Sequence, residues 1–519
     1  MTGTAGQQAV MDFLGRSESH GGAPVKRIDT HAASVFLAGD RALKIKRAVS
    51  FPFLDYSTLA KRKAACEAEI EVNRAFAPEI YRRVVAITRA SDGRLAIGGD
   101  GEPLEWAVEM SRFDETQTLD HLAERGKIDL ALADALGRAI ADAHAVAPAA
   151  KAFDFAAELT EIIAQNDIEL RASPGLFSAD AVAALTATTR GALERVRPLL
   201  AARQRAGFVR RCHGDLHLGN IALIGGKPVL FDAIEFNFRI ATGDVLYDLA
   251  FLLMDLIERG LQAAANAVFN RYLRQTRRDE NLDALAALPL FMSLRAAIRA
   301  KVTAAKLKQG GGQDVEQSAR AYFALAERLL KPAKPVLIAI GGLSGTGKSL
   351  LARALAPELA PAPGAVWLRS DVERKALFGL AETETLPQSA YKAAVTLQVY
   401  AALADKARRI TAAGHSAVID AVFADPIERL MIEQAGDSFH GLFLAADLET
   451  RLVRVGSRKG DASDADAAVA RQQEQYDLGA VRWTRIDASG TPEDTLARAR
   501  AALGSSHAHS DAPPRRPAP

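Results

Sequence analysis

Cysteine is almost missing from this chain of 519 residues, which holds two, Cys66 and Cys212. They stand far apart and without metal-ligand spacing, which argues against a disulfide framework and points to a reduced, cytoplasmic protein. Charge of one sign is missing too: 65 basic residues face 63 acidic ones, a net of +2. That balance gives no electrostatic reason for wholesale nucleic-acid or membrane binding. The longest hydrophobic run, VLYDLAFLLMDLI, is too short to span a bilayer and carries two aspartates. The opening MTGTAGQQAVMDFLGRSESH has neither the basic start nor the apolar core of a signal peptide. Aromatics are few at 6%, and no internal repeat is visible. What is present is a globular composition, 49% hydrophobic and 25% charged, in a chain too long for one core. The expectation is a soluble protein of two to four domains.

Residues 1–24 read as loosely structured. SVFLAG and RALKIK then read as strands joined by a Gly39-Asp40 turn. STLAKRKAACEAEIEVNRAFA has helical composition and stops at Pro78, and YRRVVAI, GRLAIGG and EPLEWAVEMSRF read as further strands. Beyond Thr118 the pattern is helical, with a strand-and-loop island from Phe208 to Phe238 and long helices from Val245 to Leu330. This predicts a small lobe over 25–112 and a helical lobe over 113–330. KPAKP, Lys331 to Pro335, is a Pro-broken linker. After it, alternating strands and helices over 336–503 imply a parallel sheet with helical crossovers. Complete motif sets on each side of the linker imply two independently folding cores. The tail 504–519 is Pro/Ser-rich and expected to be disordered.

HGDLHLGN, in the island, places Asp215 five residues before Asn220. This is the spacing of the kinase catalytic loop H-R-D-x-x-x-x-N. The chemistry accounts for both residue types. An aspartate accepts the proton of the attacking hydroxyl, and an amide oxygen binds Mg²⁺ without adding charge. Asp232, at the end of the apolar strand in VLFDAIEF, stands where a second metal-binding carboxylate is expected. RALKIK offers Lys44 in the place of the phosphate-binding lysine, and the next helix offers Glu69 as its partner. Lys46, Glu67 and Glu71 are competing assignments.

These residues resemble the aminoglycoside phosphotransferase family over roughly residues 25–330. The resemblance implies a bilobal, protein-kinase-like α+β fold. It also implies an adenine held at Glu109 and Met110 in WAVEMSRF, and a structural role for Asp248 in GDVLYDLAFLL. The sequence departs from kinases in lacking a glycine-rich loop before Val35. DTHAASV stands there instead, with Ser34 and other small residues to cover the phosphates.

A second device follows the linker. GLSGTGKS satisfies G-x-x-x-x-G-K-[S/T] through Gly342, Gly347, Lys348 and Ser349, with an apolar strand before it and a helix after it. Backbone N–H groups of such a loop, here including Ser344, Gly345 and Thr346, cradle phosphates at the positive end of the helix. Lys348 is expected on the β- and γ-phosphates, and Ser349 on Mg²⁺. AVWLRSD ends in Asp371, where a kinase keeps the base for an acceptor hydroxyl, and Arg374 one turn on could hold substrate. Asp420, at the end of SAVIDAVF, stands in the place of a Walker-B carboxylate. Arg451, Arg454, Arg458 and Arg471 surround a polar break and read as lid arginines that neutralise a transferring phosphoryl group. A solvated helix explains Arg454 equally well. DASDAD lacks the glycine and final glutamate of a calcium loop, and Ser463 with Asp466 reads as a helix cap.

This half resembles the small P-loop kinases, among them gluconate kinase, chloramphenicol phosphotransferase and the polynucleotide kinase domain. It lacks the arginine-finger and sensor patterns of ring-forming AAA motors. The order of the two halves resembles the bacterial bifunctional aminoglycoside phosphotransferase/ATP-binding proteins. The resemblance implies an ATP- and Mg²⁺-dependent phosphotransferase acting on a small hydroxylated acceptor. Two other readings stay open: a regulatory protein with one pseudokinase half, and a kinase acting on a protein or nucleic-acid hydroxyl.

Overall fold

The computed structural model describes residues 3–51, 54–307, 310–456 and 462–504. Its contacts cluster into two compact units, residues 1–159 with 200–255, and residues 160–199 with 256–519.

The first unit begins with a helix, α1 (Gly3–Leu14), where loose structure was expected. Val10, Met11 and Leu14 recur at helical spacing and are buried against Phe36, Leu43 and Ile45. The short apolar stripe that anchors this helix is hidden among small and polar residues, which is why it read as loose.

Six strands form one antiparallel sheet: β1 (Val25–Asp29), β2 (Ala33–Ala38), β3 (Arg41–Lys46), β4 (Tyr81–Arg89), β5 (Leu95–Ile97) and β6 (Glu102–Ser111). Their order is β1-β2-β3-β6-β4-β5. The β2–β3 hairpin closes at Gly39-Asp40, with Ala38 opposite Arg41 and Gly39 at φ +58°. Between β3 and β4 runs α2 (Leu59–Asn73), whose first turn is capped by the Thr58 side chain accepting from Lys61 N–H. Beyond the sheet come α3 (Leu130–Val146), the hairpin of β7 (Ile221–Ile224) and β8 (Lys227–Leu230), and α4 (Val245–Glu258).

The second unit contains α5 (Gln262–Thr276), α6 (Leu288–Leu307) and α7 (Gln313–Leu329), followed by a parallel sheet. Residues 280–307 are apolar and long enough to cross a bilayer by composition, yet 78% of the apolar window is buried in the protein. The sheet strands are β9 (Leu337–Gly341), β10 (Val366–Arg369), β11 (Ala417–Asp420), β12 (Phe439–Ala445) and β13 (Thr484–Asp487). All pairings are parallel and the order is β10-β11-β9-β12-β13. Helices α8 (Lys348–Leu355), α9 (Ser370–Leu377), α10 (Ala393–Ala412), α11 (Leu448–Gly456), α12 (Ala467–Gln472) and α13 (Pro492–Leu503) connect or flank these strands. Ile338, Ile340, Leu351, Leu355, Val418 and Leu444 form the core beside the loop that leaves β9.

The linker Lys331–Pro335 lies inside this second unit, not at a boundary of compactness. Side chains of α5 explain this. Asn270 donates to Ala365 O at 3.1 Å and accepts from Trp367 N–H at 2.6 Å, while Asn266 also donates to Ala365 O at 3.0 Å. Two asparagines thus satisfy the exposed edge of β10, a role that an added strand would otherwise fill.

Two candidate phosphoryl-transfer sites

In the first unit, residues two apart on β3 point the same way, so Lys44 and Lys46 both face α2. Glu69, wholly buried on α2, takes both: Lys44 Nζ lies 2.9 Å from Oε1 and Lys46 Nζ 2.5 Å from Oε2. The competing lysines therefore share one carboxylate, while Glu67 pairs with Lys63 at the surface and Glu71 is exposed. Only Lys44 also reaches Asp232, at 2.5 Å from Oδ1. Burial opposes the charge on Lys44, but Asp232 and Glu69 outweigh it and raise its pKa well above the lysine value. Burial likewise pushes Glu69 up, and the two lysines more than reverse the effect.

Asp232 adopts φ +60° and projects a side chain that is 45% exposed. Neighbouring backbone is clamped on both sides. Asp232 N–H donates to Tyr81 Oη at 3.0 Å, and the Asn73 side chain binds Ala233 N–H and C=O at 2.7 and 3.1 Å. Burial raises the Asp232 pKa, yet Lys44 brings it below the usual aspartate value.

Asn220 Nδ2 donates to both Asp215 O and Asp215 Oδ2 at 3.0 Å. That commits the amide nitrogen and leaves its oxygen as the atom to offer a cation. Asn220 and Asp232 thus supply an amide oxygen and a carboxylate, oxygen donors of the kind Mg²⁺ takes. His217 Nε2 stands 3.4 Å from Asp215 Oδ2. His213 is structural: its buried Nε2–H donates to Phe231 O at 2.9 Å, and burial lowers its pKa. Asp248 holds the loop from beneath, accepting from Gly214 N–H at 2.8 Å and His213 N–H at 3.3 Å, beside His144 at 3.1 Å.

Two expectations meet different surroundings. The Glu109 carboxylate is buried between Arg83, at 2.7 Å, and Arg41, at 3.5 Å, so only its backbone is left for an adenine. Met110 packs instead beside Phe113 and Phe231, whose rings meet at 5.1 Å. Ser34 is buried with its hydroxyl donating to Asp29 at 2.6 Å, so it ties its own hairpin together.

Sequence reasoning missed Glu235. It pairs with Lys46 at 2.5 Å and accepts from Tyr56 Oη at 3.1 Å, joining the loop after Asp232 to β3. The available signal was the second lysine of KIK, which needs a buried partner of its own.

In the second unit, β9 runs into the glycine loop. Gly342, Gly345 and Gly347 take φ of +138°, +88° and +94°. A Cβ on Gly345 would lie 2.6 Å from Arg451 O, so no larger residue fits. Ser349 Oγ donates to Asp420 Oδ2 at 2.6 Å, bringing together the two groups expected to hold Mg²⁺. Arg369 joins them, with Nη2 at 3.3 Å from Ser349 Oγ and Nε at 3.6 Å from Asp420 Oδ2. Lys348 Nζ donates to Leu343 O at 3.1 Å, folding back over its own loop. Thr346 Oγ1 donates to Leu343 O at 2.8 Å, and Ser344 N–H donates to Gln473 at 2.7 Å.

Asp371 sits in the first turn of α9, at the end of edge strand β10. β9 pairs with β11 on one side and β12 on the other, and β10 pairs with β11 alone, because the chain crosses over β11's position before filling it. Burial pushes the Asp371 carboxyl above its usual pKa; Asp420 adds to this, against Arg369 and Lys348.

Several arginines are committed to the chain itself. Arg374 is buried, donating to Ala390 O at 2.7 Å and Thr396 Oγ1 at 3.1 Å. Arg451 is also buried: it pairs with Glu474 and reaches Ser344 O at 3.5 Å, a support beneath the glycine loop and not an exposed lid residue. Arg454 holds the carbonyls of Ala488 and Gly490, both at 2.7 Å, whereas Arg471 is exposed. Arg458 and the tail from 505 lie outside the described residues. The helix cap is Asp466 itself, accepting from Val469 N–H at 2.9 Å, and Ser463 lies before it. Asp464 does more: it binds Lys375 at 3.0 Å and, each at 3.1 Å, Leu386 N–H and Tyr391 Oη.

Comparison with known proteins bears on each site separately. Residues 45–288 match the phosphotransferase enzyme family, and residues 337–477 match a family described as AAA domain. Uncharacterized protein Rv2004c of Mycobacterium tuberculosis is 29% identical over 487 residues, covering 91% of this chain and 94% of that protein. Among solved structures, a choline/ethanolamine kinase family protein from Mesorhizobium loti is similar at 18% identity and TM-score 0.41, covering 63% of this chain and 95% of that one. A gluconokinase from Sinorhizobium meliloti 1021 is similar at 19% identity and TM-score 0.25, covering 33% of this chain and 92% of that one.

Proposed function

We propose that this chain, whose residues 45–288 match the phosphotransferase enzyme family and whose residues 337–477 match a family described as AAA domain, is an ATP-dependent phosphotransferase with two nucleotide sites. Each site transfers the γ-phosphate to a hydroxyl of a small molecule. The observation that carries this reading is the shared Lys44 bridge, which ties Glu69 to Asp232 in the unit that also holds the Asp215–Asn220 pair.

In the first site, Lys44 binds the phosphates and Asp215 accepts the acceptor proton. Asn220 and Asp232 would hold Mg²⁺, which when bound draws negative charge off the transferring group. Adenine rests near the Glu109–Met110 backbone. In the second site, the amides of Gly342 and 344–347 and the charge of Lys348 cradle the phosphates, while Ser349 and Asp420 would hold Mg²⁺. Asp371, its pKa raised by burial, is the base for the second acceptor, and Arg374 fixes the segment around it. Arg451 supports the glycine loop from beneath.

The test is an acceptor screen on the full chain with labelled ATP and pooled small polyols, amino alcohols and sugars, read by mass spectrometry. Asp215→Asn should abolish one class of labelled product and Asp371→Ala the other. Labelling of protein or nucleic acid alone, or ATP binding without turnover, would replace this reading with a macromolecular kinase or a nucleotide sensor.

A further inference from the structure

His217 lies in the same short loop as the proposed base, and its two ring nitrogens face different partners. Nδ1 accepts from Gly219 N–H at 3.1 Å, capping the single helical turn Leu218–Asn220. A backbone N–H can only donate, so Nδ1 is the bare nitrogen of the imidazole and Nε2 carries the hydrogen. That Nε2–H stands 3.4 Å from Asp215 Oδ2. The cap thus fixes the tautomer, and the tautomer turns a donor toward Asp215.

The ring is held in place by its neighbours. Phe251 and Asp255 stand four residues apart on one face of α4. Phe251 meets the imidazole edge-on, with centroids 5.5 Å apart, and Asp255 accepts from Leu218 N–H at 3.0 Å. A Cβ on Gly219 would lie 3.0 Å from His217 Cε1 and 3.2 Å from Nδ1, so a larger residue there would push the ring. Asp215 Oδ2 also receives Asn220 Nδ2–H at 3.0 Å. One donor lets a carboxylate swing about that bond; a second, from a ring locked in place, fixes its plane. At 3.4 Å the His217 contact is long for a hydrogen bond. Catalytic contacts are often this long before substrate binds, and they tighten in the complex.

We propose that His217 is a positioning residue, whose Nε2–H joins Asn220 Nδ2–H in orienting the Asp215 carboxylate for proton transfer from the acceptor hydroxyl. This rests on the proposed reading of Asp215 as the base. His217 acts through Asp215 alone, so it governs turnover and leaves nucleotide affinity unchanged.

The test separates the two nitrogens in the full chain. Asparagine has an oxygen where Nδ1 stands and stops short of Asp215. Glutamine has an N–H donor where Nε2 stands and no acceptor at the place of Nδ1. First-site turnover is the part of labelled-ATP transfer, to water or to pooled polyols, amino alcohols and sugars, that Asp215→Asn removes. His217→Asn should lower its kcat about tenfold or more with KM for ATP within about twofold of the parent, and His217→Gln should recover most of kcat. A residue serving only as a cap gives the reverse order, asparagine like the parent and glutamine impaired, and that result overturns the proposal. If His217→Asn fails to fold, His217→Gln is compared with His217→Met, which differs from it chiefly in lacking the donor. Equal turnover in those two overturns the proposal as well. Asp215-dependent turnover that is kept in His217→Asn refutes the positioning role alone. Absence of any Asp215-dependent turnover in the parent refutes the base assignment and this inference with it.

Discussion

The Asn73 side chain closes two hydrogen bonds on the backbone of Ala233, accepting at 2.7 Å and donating at 3.1 Å. One residue at the end of α2 thereby holds the strained loop that carries Asp232. Asn73→Leu leaves a buried N–H and C=O without partners, at about 1–3 kcal/mol each. Thermal unfolding should begin several degrees lower, and turnover at the first site should fall more than nucleotide affinity.

Glu69 holds two buried lysines, and its pH dependence follows in sign. Its pKa is depressed in the folded chain. The stability it contributes is therefore full above the unfolded glutamate value of about 4.3 and is lost as pH falls toward the folded value. Lys44 and Lys46 have raised values, so their contribution is full below about 10.4 and is lost only in stronger alkali. Melting temperature measured against pH should show an acid-side slope in the parent that is reduced in Glu69→Gln, along with a lower plateau.

Lys44, Asp215, Asn220 and Asp232 were legible in the sequence because chemistry fixes both their types and their spacing along short loops. The same holds for Gly342 to Ser349. Arg374, read as a substrate residue, and Arg451, read as a lid residue, were not, because an arginine in a polar stretch reads alike whether it faces solvent or carries a backbone carbonyl inside. Asn73, Glu235 and the asparagines of α5 were invisible for a related reason. Each acts on a partner far away in sequence, and only the fold makes the pair.

The two asparagines give a third expectation. A fragment starting at Lys334 keeps the parallel sheet but leaves the Ala365–Trp367 edge without Asn266 and Asn270. It should unfold at lower denaturant concentration than a fragment starting at Leu256, followed by circular dichroism. Equal midpoints would show that α5 adds nothing to the edge.

Asp371 and Lys348 should separate cleanly. Lys348→Ala should lose nucleotide affinity and transfer together. Asp371→Ala should keep affinity and lose transfer by about 10²–10⁴-fold, the usual range for a general base. Because the Asp371 pKa is raised, turnover at this site should fall with acid at a pH above the ordinary carboxylate range. Loss of ATP affinity in Asp371→Ala as severe as in Lys348→Ala would place this carboxylate at the metal instead.

The central claim, two nucleotide sites in one chain, is tested most directly by equilibrium binding of ATP with Mg²⁺, counted per chain. The account predicts two ATP per chain in the parent, one in Lys44→Ala, one in Lys348→Ala and none in the folded double variant. A parent that binds one ATP, lost entirely in either single variant, would contradict it.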